Sequence, residues 1–160
     1  MDRENDMLKE ISIIYRKTQI YLTNCTHSYN LSSSLASFLI ILCEKRKMTQ
    51  TQFCGLLDMS KGNVAKVLNK LEELGYVTRQ ANPFDSRSVD VFPTERAQEV
   101  YPLLIQSGKD WSRQMTKDMT DMERTIFFQL LKRVCDNIGT CFEEHVHSEM
   151  QISPKEKDIT

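Results

Sequence analysis

Ser60-Lys-Gly-Asn-Val-Ala-Lys-Val-Leu-Asn-Lys-Leu-Glu-Glu-Leu-Gly75-Tyr76 reads as a short capped helix that stops at a glycine. Ser60 is a good N-cap, because its hydroxyl can accept from an orphan amide of the first turn. Val64, Leu68 and Leu71, with Val67 and Leu74 beside them, recur at three- and four-residue steps and define one buried stripe. Gly75 supplies the left-handed residue that ends a helix, and Tyr76 falls where it packs back on Leu71. A helix this short with one apolar stripe must lean on another element.

The charges of this helix run against its own stability. Lys61 sits in the first turn and Glu72 and Glu73 in the last, the reverse of what the helix dipole favours. Lys66 and Lys70 are four apart, a like-charge spacing that costs roughly a few tenths of a kcal/mol. Local rules are most often broken where function requires it. The outward positions are Gly62, Ala65, Lys66 and Asn69, flanked by Asn63 and Lys70. That surface is small, cationic and amide-rich, suited to a groove lined with phosphates and base edges. The alternative is an ordinary solvated face.

The preceding residues favour the groove. Thr49-Gln-Thr-Gln52 fits a capping box that opens a helix carrying Phe53, Leu56 and Leu57. Asp58-Met59 leaves only a tight turn before Ser60, so two short helices meet as a helix-turn-helix. Tyr76 to Gln80 and Ser88 to Phe92 are β-rich, Val89 and Val91 alternate with Ser88 and Asp90, and Asn82-Pro83 marks a turn region. A helix-turn-helix followed by a hairpin is the order of a winged helix.

The run Leu71-Glu-Glu-Leu-Gly-Tyr-Val-Thr-Arg79, then Asn82-Pro-Phe-Asp-Ser-Arg87, then Phe92-Pro-Thr-Glu95 resembles the wing signature of the multiple-antibiotic-resistance (MarR) type transcriptional regulators. The resemblance extends over nearly the whole chain. It implies a mainly α fold with a small β-hairpin wing, in which long N- and C-terminal dimerisation helices flank the winged helix-turn-helix. Two positions depart from the family pattern. Asn82 stands where the family usually has an acid, and the single Arg87 where it usually has two adjacent basic residues. Asn69 stands where an acid often steadies the wing arginine, which implies a looser wing grip.

A dimeric, sequence-specific regulator of double-stranded DNA follows as the leading expectation. Base readout is expected from Ser60, Asn63 and Lys66, with Gly62 on the same face, and phosphate contacts from Lys61, Lys70 and Arg79. Arg87 reaches the minor groove. The rival of another class is a winged helix serving as a protein-interaction module, its lysines binding an acidic partner.

Charge and length agree with a regulator. At 160 residues the chain is one domain by the usual size prior, and its formal net charge of -1 excludes a generally basic nucleic-acid coat. Locally, Lys45 to Gln80 holds seven basic residues against three acids, a net of +4. From Thr120 onward there are five basic residues against eight acids, a net of -3. Such asymmetry aims one face at a polyanion. The acidic opening Met-Asp-Arg-Glu-Asn-Asp has no apolar signal region, and the run from Phe38 to Cys43 is too short to cross a bilayer. Five cysteines without a CxxC pair fit a reducing cytoplasm. Cys43, Cys54 and Cys135 lie among apolar residues and read as small core side chains.

Four segments are expected: a dimerisation helix in residues 1–30, the winged module in 31–93, C-terminal dimerisation helices in 94–150, and a disordered tail in 151–160. Met7, Ile11, Ile14 or Tyr15, Thr18, Leu22 and Cys25 approach a seven-residue repeat. Leu31-Ser-Ser-Ser34 starts a second helix, with Leu35, Phe38, Leu39 and Leu42 inward, which frays into Glu44-Lys-Arg-Lys47. Those cations suit a helix C-terminus. Thr94 caps a further helix, and Pro102 predicts a bend near Gln98 to Pro102. Thr120-Asp-Met-Glu123 is a second capping box, opening a helix with Met122, Ile126, Leu130, Val134, Ile138, Cys141 or Phe142, and Val146. Apolar seams at both ends predict association through them into a two-fold dimer, whose recognition helices lie about one duplex turn, roughly 34 Å, apart. A monomeric bundle burying the same seams is the alternative.

Other chemistry is sparse. Cys25-Thr-His27 and His145-Val-His147 hold metal-ligand types but match no closed four-ligand spacing, so no metal is expected. A cysteine redox switch is a second option, and some relatives sense oxidants through a cysteine early in the first helix, whereas Cys25 ends it. The resemblance further implies a small apolar or phenolic effector near Tyr29, Phe38, Tyr101 or Trp111, aromatics that fit plain core equally well. No catalytic cluster or cofactor motif stands out, so an enzyme is not expected.

Overall fold

The computed structural model describes residues 3–152, and side chains from 6 to 139. Six α-helices and a small antiparallel sheet follow one another. The helices are α1 (Arg3–Thr26), α2 (Ser33–Lys45), α3 (Gln50–Leu57), α4 (Lys61–Glu73), α5 (Glu95–Met115) and α6 (Asp121–Ile152). The strands are β1 (Met48–Thr49), β2 (Val77–Ala81) and β3 (Val89–Pro93), in the order β1-β3-β2. The winged-helix architecture expected from the sequence is present. The chain forms two compact units, Met1–Met115 and Thr116–Thr160.

In the first unit, the core is the set of stripes the sequence marks. Leu39, Leu42, Phe53, Val64, Leu68, Leu71, Tyr76 and Ala97 are buried to within a percent of completely. Phe38 and Phe53 stack with ring centroids 5.0 Å apart, which clamps α2 on α3. Ser32 caps α2 by accepting from Leu35 N. Thr49 and Gln52 form the reciprocal capping box at α3, Gln52 Oε1 accepting from Thr49 N at 2.8 Å.

Two turns are sharper than the sequence shows. Arg46 takes a left-handed conformation (φ 65°) and donates its N–H to Leu42 O, ending α2 at Lys45, inside the cation run. Lys47 therefore leaves the helix. Its Nζ lies 3.3 Å from Asp90 Oδ2, so the expected role at a helix C-terminus is corrected to an ion pair with the wing. Asp58 (φ 49°) closes α3, and Gln50 Nε2 donates to Lys61 O at 3.0 Å, lacing α3 to the start of α4.

The hairpin is also a strand richer than expected. Met48 and Thr49 pair with Val91 and Asp90, which makes β3 the central strand. Residue Thr49 thus serves both the sheet and the cap of α3. β2 and β3 start and end one residue later than the sequence implies, with Arg79 opposite Val91 and Gln80 opposite Asp90.

Thr94 Oγ1 accepts from Ala97 N at 3.4 Å and donates to Gly75 O at 2.7 Å, tying the start of α5 to the end of α4. The helix α5 continues on both sides of Pro102. Along α1, Met7, Leu8, Ile11, Ile14 and Tyr15 are at least 48% exposed, and only towards its C-terminal half does the helix meet α2 and α5.

The second unit begins with the expected capping box. Glu123 N donates to Thr120 Oγ1, and Glu123 Oε2 accepts from Thr120 N at 2.8 Å. That backbone donor, with the Thr120 hydroxyl, holds the Glu123 carboxyl below its ordinary range. Ile126, Leu130, Val134 and Ile138 are each between 44% and 50% exposed, and Met122 more so. Cys135 is exposed, which corrects its reading as a core side chain, because on a single-layer helix an apolar neighbourhood in sequence is not a buried one. The later seam positions Cys141, Phe142 and Val146 and the pair His145 and His147 lie outside the residues whose side chains are described. α6 runs two residues into the expected tail, and 153–160 lie outside the described residues.

Candidate nucleic-acid interface

α4 presents the face that the sequence predicts. Ser60 Oγ accepts from Asn63 N at 3.3 Å, fixing the first turn. Val64, Leu68 and Leu71 point inward, while Lys61, Gly62, Asn63, Lys66 and Asn69 are exposed. A Cβ built on Gly62 meets nothing within 4 Å, so this turn is a low, open surface that a second molecule can approach closely. Its far end is a complete Schellman stop. Gly75 (φ 76°) donates to Glu72 O and Tyr76 N to Leu71 O, both at 2.9 Å. Tyr76 is wholly buried, its hydroxyl donating to Tyr29 O at 2.9 Å and its ring lying 4.6 Å beneath the Arg96 guanidinium.

The five expected cations fall into two groups among the described residues, unpaired and paired. Among the described residues, Lys61, Lys66 and Arg87 form no ion pair, and all three are exposed. Lys70 pairs with Glu73 at 3.0 Å, a contact with both side chains more than half exposed and therefore readily exchanged for another anion. Arg79 is held differently. Its Nη2 donates to Asn69 Oδ1 at 2.6 Å and its Nε lies 3.4 Å from Glu72 Oε2, an ion-pair distance without hydrogen-bond alignment. So Arg79 is a strut between β2 and α4. These pairs also explain two of the unfavourable helix charges, since Glu72 and Glu73 each meet a cation.

The wing tip is ordered by its own polar side chains. Asn82 Oδ1 accepts from Phe84 N at 2.8 Å and Asp85 N at 3.0 Å, an Asx turn. Asp85 Oδ1 accepts from Arg87 N at 3.0 Å, and Ser88 N donates to Asp85 O. Arg87 is thereby placed at an exposed turn between β2 and β3.

The four aromatics expected near an effector have separate partners. Phe38 belongs to the buried stack with Phe53. Trp111 stacks on Tyr21 at 4.5 Å, and its Nε1 donates to Thr18 Oγ1 at 2.7 Å, fastening α5 to α1. Tyr101 reaches Glu44 at 3.5 Å, and Tyr29 is 37% exposed. A hollow of about 410 Å³ lies nearby instead, lined by Thr23, His27, Asn30, Leu31, Ser32, Lys70 and Leu74. Sequence periodicity does not find it, because its walls come from three separate elements.

Burial pushes the Cys43 thiol up to about 11, with the Glu44 charge adding to it, so Cys43 is a poor source of thiolate. Among the described residues no group of three or more His, Cys, Asp or Glu side chains is placed to hold a metal ion. No helix among them is long and apolar enough to cross a membrane.

Comparison with known proteins agrees with this geometry. The sequence pattern of the MarR family matches residues 30–88, which span the helix-turn-helix and the wing. The HTH-type transcriptional regulator BilQ of Clostridioides difficile (strain CD3) is 25% identical over 90% of this chain and 99% of its own length. A MarR transcriptional regulator from Methanosarcina mazei Go1 superposes with a TM-score of 0.81 at 28% identity, covering 86% of this chain and 99% of that one. The fold is shared, at 23% identity and a TM-score of 0.73, with a mutant MarR from E. coli complexed with operator DNA, over 81% of this chain and 93% of that one. Helix-turn-helix, wing and flanking helices coincide with these relatives, and the region of residues 30–88 carries the sequence pattern of the MarR family of winged-helix transcriptional regulators.

Proposed function

We propose that this protein is a homodimeric, operator-binding repressor that releases DNA when a small molecule binds. The observation that carries the DNA-reading part is the first half of α4, where Lys61 and Lys66, without an ion pair among the described residues, flank open Gly62 and exposed Asn63 on a helix braced from behind by α3. Residues 31–93 form the reading module, and residues 1–30 and 94–150 the dimerisation helices. Ser60, Asn63 and Lys66 read base edges, while Lys61 and Lys70 grip phosphates and Arg87 enters the minor groove. Arg79, occupied by Asn69 and Glu72, sets the wing angle. Support for the dimer is the row of large apolar side chains left exposed along α1 and along α6. Two copies place two α4 helices on successive major grooves of a pseudo-palindromic operator.

Two substitutions separate the roles. Asn63→Ala is expected to relax preference at one base-pair position by about 1–3 kcal/mol, and Lys61→Ala to weaken all duplexes alike while reducing the salt slope by about one. Titrations of matched and mismatched duplexes at several salt concentrations check both. Equal losses with unchanged preference would overturn the division of roles.

The hollow beside Lys70 supports effector control, since its volume suits a small apolar or phenolic molecule and Leu74 and Lys70 belong to the end of α4. A ligand there acts only if it favours one spacing of the two reading helices. Filling the hollow with Leu74→Trp is expected to abolish release by phenolic compounds that dissociate the wild-type complex. Persistent release would place the effector elsewhere.

A further inference from the structure

We propose that Asp90, through Asn82, is a positioning residue that holds the wing so that Arg87 meets DNA, a role resting on the DNA-binding reading above. Asp90 lies in the central strand β3, opposite Gln80 of β2 and Thr49 of β1, and is 3% exposed. A carboxylate so buried is retained only with partners. Its Oδ2 faces Lys47 Nζ at 3.3 Å, and its Oδ1 accepts from Asn82 Nδ2 at 3.0 Å. That bond fixes the Asn82 amide. With Nδ2 committed to Asp90, Oδ1 must face the tip, where it accepts from Phe84 N and Asp85 N.

The sequence of contacts continues without a gap. Asp85, set by the Asx turn, accepts from Arg87 N, and Asn82 N donates to Ser88 O at 3.1 Å, closing the tip. At the other end, Thr49, the partner of Asp90 across the sheet, is the N-cap of α3. Lys47, Asp90 and Asn82 thus join the base of the helix-turn-helix to the backbone of Arg87. An acid at position 82 could keep the turn but would set a second carboxylate against Asp90, so the asparagine and the buried aspartate belong together.

Two measurements on the full-length protein test this. In the free protein, amide exchange at Phe84, Asp85 and Arg87 is expected to rise about tenfold or more in Asn82→Ala and Asp90→Asn, with α4 amides unchanged. Unchanged exchange at the tip overturns the proposal. On a duplex enriched from a random library by the wild-type protein, Asn82→Ala is expected to weaken binding about tenfold, yet less than about twofold when Arg87→Ala is already present. Equal losses in both backgrounds would make Asn82 and Asp90 merely structural, and overturn the positioning role. If Asp90→Asn fails to fold, Asn82→Ala carries both tests. If the wild-type protein enriches no duplex, DNA binding by this module falls and the Arg87 role with it, while the exchange data still decide whether Asp90 holds the wing.

Discussion

Leu130→Glu is expected to convert the protein to a monomer in sedimentation and to lower its affinity for a two-fold duplex by about 10²–10⁴. Leu130 lies mid-way along the open face of α6 with Ile126, Val134 and Ile138, and is 49% exposed in the single chain. About half of its surface is therefore open in the single chain. A glutamate there costs little in an isolated subunit, but burying it against a second apolar face strands a charge without a partner. Each α4 helix would still fit one groove. What disappears is the second attachment, which in a dimer is intramolecular and so acts at high effective concentration. A Leu130→Glu protein that stays dimeric and binds as wild type would show that α6 is not the dimer face.

Phe53→Ala has the largest expected effect on folding, a loss of about 3–5 kcal/mol. Phe53 is completely buried at the centre of α3, stacked on Phe38, and Val64, Leu68 and Leu71 of α4 belong to the same core. A cavity there removes the support from which α4 is presented. Against a typical total stability of 5–15 kcal/mol, such a loss should lower Tm by roughly 10 °C or more, measurable by thermal unfolding. It also discriminates the two readings of Phe38. If Phe38 is core, Phe38→Ala should destabilise comparably without any ligand present. A Phe38→Ala protein of wild-type Tm would return that ring to the list of effector contacts.

The legible parts of the fold are those where one residue type answers one local requirement. Ser60 and Thr49 cap helices because a short side chain can reach an amide, and Gly75 ends α4 because φ is positive. What escaped the sequence depends on contacts between distant residues. β1 is two residues long, too short for any alternation, and exists because β3 offers it a partner. Arg46 and Asp58 adopt left-handed turns that neither residue advertises. Lys47 reads as a helix-end cation until Asp90, 43 positions away, is seen to face it.

At the interface the same division holds. The exposed face of α4 follows from helical spacing alone, so Lys61, Gly62, Asn63 and Lys66 are found where expected. The fate of Arg79 does not follow, because spacing cannot say whether Asn69 and Glu72 or a phosphate will hold its guanidinium. The available signal is Asn69 itself, an exposed amide on α4 whose oxygen accepts from Arg79.

Selection of bound duplexes from a random-sequence library, at moderate and at low salt, tests the central claim most directly. A dimer reading DNA through two α4 helices is expected to enrich a two-fold motif whose half-sites are spaced by about one helical turn, roughly 10 base pairs. No enriched motif at either salt concentration would contradict it, and would leave the cationic face of α4 to a protein partner.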